Sequence, residues 1–159
     1  MARKKQILKS IIDSDVCIIG ITCHLKSYRL SFSMNKALKF HFRRIDDFPS
    51  PDHSGNEMLF FPFMTYDDPD LKNLFCLVGN HHPQGKLMPN LRQVDYFLMA
   101  KNPLEKSTRS GLMDKIRKIS QVVAAYEIDP ARTRDLDTLM EELELHLLVS
   151  GRKRNAARA

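Results

Sequence analysis

Met88-Pro89-Asn90-Leu91-Arg92-Gln93-Val94-Asp95-Tyr96 runs directly into Phe97-Leu98-Met99-Ala100-Lys101-Asn102, and no other stretch of the chain is as informative about structure. Proline fixes φ and biases the residue before it towards extended geometry, which suits a chain entering a strand. Val94, Tyr96 and Leu98 then alternate with Asp95, Phe97 and Met99 in strand register, and both faces carry large apolar groups from Tyr96 onward. A strand covered on both sides is expected. Upstream, Leu74 to Gly79 is an apolar run, and the turn-rich Asn80 to Lys86 leads from it back to Val94. Strands this close in sequence pair antiparallel, because a parallel crossover needs about a dozen residues or more.

Earlier in the chain, residues 4 to 16 read as a short helix or ragged lead-in, and Val16 to Ile21 has strand character. Thr22 offers an N-cap ahead of Leu25, Tyr28, Phe32 and Lys36 at helical spacing. Tyr28, Leu30, Phe32 and Met34 also alternate like a half-buried strand, so residues 25–37 admit both readings; helix is favoured because Lys26, Arg29, Lys36 and the serines share one wet side. Leu38 to Arg44 reads as a strand. Asp46 to Asn56, with its prolines, glycine and aspartates, reads as a loop. Glu57 to Tyr66 is apolar and aromatic but interrupted by Pro62, which suggests an edge or a bulge.

Beyond Asn102-Pro103 the period lengthens. Leu112, Met113, Ile116, Ile119, Val122 and Val123 recur at helical spacing with Ser110 as a candidate N-cap, although Val122 to Ile128 also fits a strand. Asp135 to Leu148 is a second amphipathic helix, ended by Ser150-Gly151. The expected fold is therefore α+β: a single domain over 1–150 with an antiparallel sheet of about four to five strands, at roughly 38–44, 57–66, 72–79 and 94–101, flanked by helices. Residues 151–159 form a basic tail, expected to be flexible.

The motif Met88-Pro89-Asn90, three free positions, then Val94-Asp95-Tyr96 resembles the signature of the IPExxxVDY family, a bacterial family without an assigned activity. Pro89 and the Val94-Asp95-Tyr96 triplet match, while Met88 and Asn90 replace the Ile and Glu of the pattern. His24 to Leu30, with Asn35 and Leu38, is similar to the family's other recurrent stretch. The two stretches together span about a third of the chain. Were the motif Glu a catalytic acid, Asn90 could not replace it, since an amide neither titrates nor donates a proton in that role. Genes of such proteins tend to lie beside ribonuclease III and glycolytic genes, an association that slightly favours RNA as a partner.

The chain has 159 residues, 43% hydrophobic and 28% charged, enough apolar side chain for one core. Three cysteines, Cys17, Cys23 and Cys76, show no C-x-x-C spacing, which argues for a reducing, cytoplasmic compartment and against a disulfide framework or zinc site. Lys9, Asp13 and Asp15 interrupt any signal-peptide core, and no apolar run reaches the ~18 residues of a membrane span. Net charge is +6, but Arg3, Lys4, Lys5 and Lys9 at one end and Arg152, Lys153, Arg154 and Arg158 at the other leave the segment 13–150 at −2. The basic character belongs to the ends, which can contact RNA or another anion in a salt-sensitive way or simply remain solvated.

Candidate chemistry is sparse. His81-His82 occupies one turn, and His53 lies beside Asp52 in another, without H-x-x-x-H or H-E-x-x-H spacing; no metal site or cofactor is expected. Asp46-Asp47 and Asp67-Asp68 read as turn and capping residues. Cys23 and His24 are neighbours in sequence, which does not make a nucleophile and its base, and Cys23 is expected to pack in the core. Within the motif, Pro89, Val94, Asp95 and Tyr96 are expected to be structural: Tyr96 packs under a helix with its hydroxyl bonded, and Asp95 accepts from a turn or pairs with Arg29 or Arg92. Two function classes follow. One is a non-enzymatic binding or regulatory module whose open sheet face or basic ends meet a protein or RNA. The other is an enzyme built around Asp95, Tyr96 and the His81-His82 loop. Oligomeric state is left open.

Overall fold

The computed structural model describes residues 17–158 except 53, with side chains to residue 150. The lead-in at 4–16, its basic residues Arg3, Lys4, Lys5 and Lys9, and His53 lie outside the described residues. The elements are β1 (Ile18–Cys23), α1 (Ser27–Leu38), β2 (Arg43–Arg44), β3 (Phe48–Pro51), β4 (Met58–Phe61), β5 (Phe63–Asp68), β6 (Asn73–Gly79), β7 (His81–His82), β8 (Gly85–Lys86), β9 (Tyr96–Ala100), α2 (Lys106–Arg117), β10 (Val122–Glu127), a 3-10 turn (Pro130–Arg132) and α3 (Leu136–Arg158). This is an α+β fold.

Six strands form one sheet in the order β10-β1-β9-β6-β5-β2, every pair antiparallel. The expected pairing of Leu74–Gly79 with the motif strand is present, with Leu77 opposite Leu98 and Val78 opposite Phe97. β9 lies inside the sheet and all five of its residues are buried. Its alternation separates two cores. Tyr96, Leu98 and Ala100 face Leu30, Met34 and Leu38 of α1 and Leu112 and Ile116 of α2, whereas Phe97 and Met99 face Leu136, Leu139 and Leu143 of α3. The β3–β4 hairpin adds Phe48, Leu59 and Phe61 to the second core. The sheet is thus covered on both faces, which corrects the expectation of an open face available to a partner.

Several boundaries differ from expectation for local reasons. Residues 27–38 are helical, as favoured, but Thr22 belongs to β1 and Lys26 occupies the N-cap position without a side-chain bond. The strand expected at 38–44 shrinks to Arg43–Arg44. Lys39 adopts the left-handed conformation, φ 58°, and its N–H returns to the Asn35 carbonyl, closing the helix. Asn35 Oδ1 accepts the Phe42 N–H at 2.8 Å, so Phe40 and Phe42 enter the core from a loop. Pro62 splits 57–66 into β4 and β5, and β3 forms within what reads as loop because it pairs only with β4. The motif strand begins at Tyr96, not Val94, and α2 begins at Lys106, well before Ser110.

α3 does not stop at Ser150-Gly151; it continues to Arg158. One glycine inside a helix costs about 1 kcal/mol relative to Ala, which the surrounding Arg, Lys and Ala residues, all good helix formers, can offset. The outer edge of β10 is also guarded. Arg117 Nε donates to the Ala125 carbonyl at 2.9 Å, and Arg109 pairs with Glu127 at 3.2 Å. A guanidinium on an edge carbonyl occupies the acceptor that an added strand would use.

At the crossing of β1 and the motif, Gly20 leaves no room for a side chain. A Cβ there would lie 3.0 Å from Ile128 Cδ1 and 3.1 Å from Val94 Cγ2. Both neighbours are buried core groups, so Gly20→Ala is expected to lose about 1–3 kcal/mol in urea unfolding, the range for overpacking a filled interior. An unchanged midpoint would show that Val94 and Ile128 yield freely.

Candidate functional site

The segment between β6 and β9 is organised by Asn80, which is fully buried. Its Oδ1 accepts the Met88 N–H at 2.7 Å, and its Nδ2 donates to the Leu91 and Val94 carbonyls at 3.0 and 2.7 Å. Its main chain is also engaged: the N–H donates to the Asp95 carbonyl and the carbonyl accepts from Leu87. Around it the motif turns twice, with the Leu91 N–H on the Met88 carbonyl and the Val94 N–H on the Leu91 carbonyl. Met88-Pro89-Asn90 is therefore a turn and not the approach to a strand. Asn90 at the substituted motif position donates to the Arg134 carbonyl at 3.3 Å, linking the turn to the lead of α3.

Asp95 and Tyr96 join this turn to the end of β1. Asp95 Oδ2 accepts the Cys23 N–H at 2.8 Å, and its Oδ1 meets His81 Nε2. The expected arginine partner is replaced by His81: Arg29 and Arg92 are both exposed and in no ion pair with Asp95. Tyr96 is buried among α1 residues, and its hydroxyl donates to the Leu25 carbonyl at 2.7 Å. Thr22 Oγ1 adds a bond to the Gln93 carbonyl at 2.6 Å. Pro89 is half-buried and Val94 fully buried against Gly20. The two motif side chains thus take separate backbone partners in the segment 23–25.

This corner has limited means for chemistry. The His81 ring is 42% exposed and Asp95 23%, so the pair is reachable from solvent and has the layout of a base with an orienting carboxylate. Cys23 beside it is buried; burial first, and the Asp95 charge second among the raising effects, lift its thiol above the ordinary value. Burial likewise pushes Cys17 up to about 11 and Cys76 up to about 12. Such thiols stay protonated and inert near neutrality. His82 alternates away from His81, accepting from the Gln84 N–H and meeting Phe61 edge-on. Among the described residues no three His, Cys, Asp or Glu side chains converge as a metal site.

The other acidic candidates hold turns. Asp68, buried, accepts from the Asp70 and Leu71 N–H groups, and Asp47 pairs with Arg44 at 2.9 Å. Asp52 accepts from the Ser54 hydroxyl, which is the main reason its carboxyl lies below the usual range. Arg152, Lys153, Arg154 and Arg158 fall on the last turns of α3. His24 is exposed beside the buried Cys23.

The surface feature missed from sequence is the outer side of α1. Tyr28 and Phe32, one turn apart, are 60% and 62% exposed, and Lys36 Nζ lies 5.2 Å from the Phe32 ring centroid. Arg29 on the same helix, and Lys26 and Lys39 at its two ends, are exposed as well. Residues 17–45 contain six Lys or Arg and no Asp or Glu, so the near-neutral average of the body conceals a basic segment. Segment-by-segment charge, and the helical placement of Tyr28, Phe32 and Lys36, were the available signals. A groove of about 460 Å³ lies beside the motif, lined by Pro89 to Gln93 and Tyr126. Comparison with known protein families, curated proteins and solved structures finds no match to this chain.

Two consequences are measurable. Asn80→Ala would leave the Met88 N–H and the Leu91 and Val94 carbonyls without their partner, and a loss of about 3 kcal/mol or more is expected from chemical denaturation. A loss below about 1 kcal/mol would mean that water replaces the amide. Alkali supplies the second. Tyr96 is raised from 10.0 to about 12, chiefly by burial, and Cys17 and Cys76 are raised from 9.0. Folding favours the neutral form of each group, so their contribution is complete below the ordinary values and disappears as pH rises through the folded ones. Melting temperature is expected to hold to about pH 9 and fall between pH 9 and 12, beyond the trend of a Tyr96→Phe variant.

Proposed function

We propose that the protein is a non-catalytic binding module of the cytoplasm whose basic, aromatic α1 surface contacts single-stranded RNA. The observation that carries this reading is the exposed Tyr28–Phe32 pair with Lys36 against the Phe32 ring and Arg29 alongside. Aromatic faces stack bases without regard to sequence, and cations beside them track the phosphates. Lys26, Arg29, Lys36 and Lys39 form no ion pair among the described residues, so their charge is available to an anionic partner. The motif supports the reading from the other direction. Asp95, Tyr96 and Asn80 are already engaged in bonds that hold the fold. Membership of the IPExxxVDY family is part of the proposal, supported by Pro89, the Val94-Asp95-Tyr96 triplet and the His24–Leu38 stretch. The buried, unpaired cysteines support the cytoplasm. No helix among the described residues is long and apolar enough to cross a membrane.

A second reading has one observation in its favour. The solvent-reachable His81–Asp95 pair resembles a general base and its orienter, and the groove at Pro89–Gln93 lies on the same segment. It is weakened by Cys23, the thiol next to the pair, being buried and raised in pKa.

The test is fluorescence anisotropy with labelled oligouridylate. Tyr28→Ala and Phe32→Ala are each expected to cost about 1–3 kcal/mol, and Lys36→Gln to lower the salt slope by roughly 0.7. If Arg152, Lys153, Arg154 and Arg158 join the contact, deleting 151–159 lowers the slope further; an unchanged slope confines it to α1. Equal binding by the parent protein and the Tyr28→Ala/Phe32→Ala double variant would overturn the assignment of α1.

A further inference from the structure

α3 has two apolar faces, and the described residues of the domain pack on only one. Leu136, Leu139 and Leu143 are buried in the second core, with Leu147 packed against it. Leu145, Leu148 and Val149 point the other way and are 62%, 59% and 51% exposed. They are three of nine exposed large apolar side chains on the described surface, gathered within five residues of one helix. Thr138, Glu141, Leu145, Leu148, Arg152 and Asn155 follow one another at spacings of three, four, three, four and three and so share one face of the helix, with an apolar centre at Leu145 and Leu148 and polar or charged residues on either side.

The charges of α3 say what fits that seam. Asp137, Glu141, Glu142 and Glu144 all precede Leu145, and Arg152, Lys153, Arg154 and Arg158 all follow Gly151. A second α3 laid parallel would bring acid to acid and base to base; one laid antiparallel brings each acidic half to a basic half. We propose that two copies of this chain pair through the outward stripe of α3 in an antiparallel, two-fold arrangement. Centred between residues 146 and 147, the register sets Leu145 of each copy against Leu148 of the other. The same register sets Glu141 against Arg152 and Thr138 against Asn155, with Val149 on the flank. Each contact occurs twice, as an isologous interface requires. The helix is 23 residues, about 35 Å, long enough for these layers. Its core-facing residues lie on the opposite side, so pairing requires no change in the domain.

Sedimentation equilibrium of the full, nuclease-treated chain tests this. The apparent mass is expected to rise with concentration from 18.4 kDa towards twice that value. Leu145→Glu/Leu148→Glu should be monomeric and should match the thermal transition of the parent at concentrations where the parent is monomeric, because both side chains are exposed in the folded domain. Glu141→Arg and Arg152→Glu should each weaken the dimer at least about tenfold, the effect of a ~1.4 kcal/mol loss, and the double variant should recover it. Recovery is specific to antiparallel pairing. A chain monomeric at every concentration overturns the proposal, including one whose stripe instead binds anionic phosphatidylserine vesicles. So does a dimer indifferent to Leu145→Glu/Leu148→Glu, or a double charge reversal that fails to restore association.

Discussion

Asn80 has no solvent to fall back on, and the arrangement of the central sheet rests on how its amide is satisfied. The chain must leave β6, travel out of the sheet and return as β9 beside the same strand, with an interior already filled on both faces. A connection of this kind carries backbone groups into partly buried space, where an unmade bond costs more than a made one gains. One side chain supplying an acceptor to Met88 and donors to Leu91 and Val94 resolves most of that cost. The turn then delivers Asp95 and Tyr96 to the end of β1, where each binds the backbone of a different residue. Register across β1, β9 and β6 is fixed at one point by hydrogen bonds whose geometry tolerates little slip, and the hydrophobic alternation of β9 extends it along the strand.

The same logic explains where the polar groups of the motif have gone. A carboxylate holding a strand-end N–H and a histidine, and a phenol holding a carbonyl, serve the fold in ways that leave few lone pairs for a substrate. The motif therefore reads first as a clasp. The His81 ring, which is exposed, is attached to the clasp through Asp95 and not through a reactive neighbour.

Sequence periodicity was a good guide wherever one face was apolar and the other wet. The helical spacing within 112–119 and 135–148 placed α2 and α3, the unbroken apolar run 96–100 separately placed the strand buried on both faces, and the α+β class followed from the strand-like segments and the later helical spacing. It failed where structure depends on a single conformational event. Lys39 in the left-handed region ends α1 and leaves Lys39–Phe42 as loop instead of strand, although the alternation of Leu38, Phe40 and Phe42 is real and all three side chains are buried. β10 was legible only as an alternative to helix, since Val122 and Val123 continue the spacing of α2. Asn80 looked like any turn residue because its importance lies in side-chain partners up to 14 positions away. The charge of the body, averaged to −2, concealed an acid-free stretch from 17 to 45 that folds into β1, α1 and β2.

The two unfilled surfaces have a geometric relation that bears on how they would act together. α1 packs on the face of the sheet that carries Tyr96 and Leu98, and α3 on the face that carries Phe97 and Met99. A partner seated on α3 leaves α1 free. In a pair joined through α3, the two sheets would stand between the two α1 surfaces, which would then face outward on opposite sides of the assembly. A single RNA strand long enough to reach around would meet two weak stacking platforms instead of one, and the second contact would form at the effective concentration set by the strand's length. Strands too short to span the assembly would gain nothing from pairing. A dependence of affinity on strand length, present in the dimer and abolished by Leu145→Glu/Leu148→Glu, would connect the two surfaces, whereas an equal affinity for short and long strands would show that each works alone.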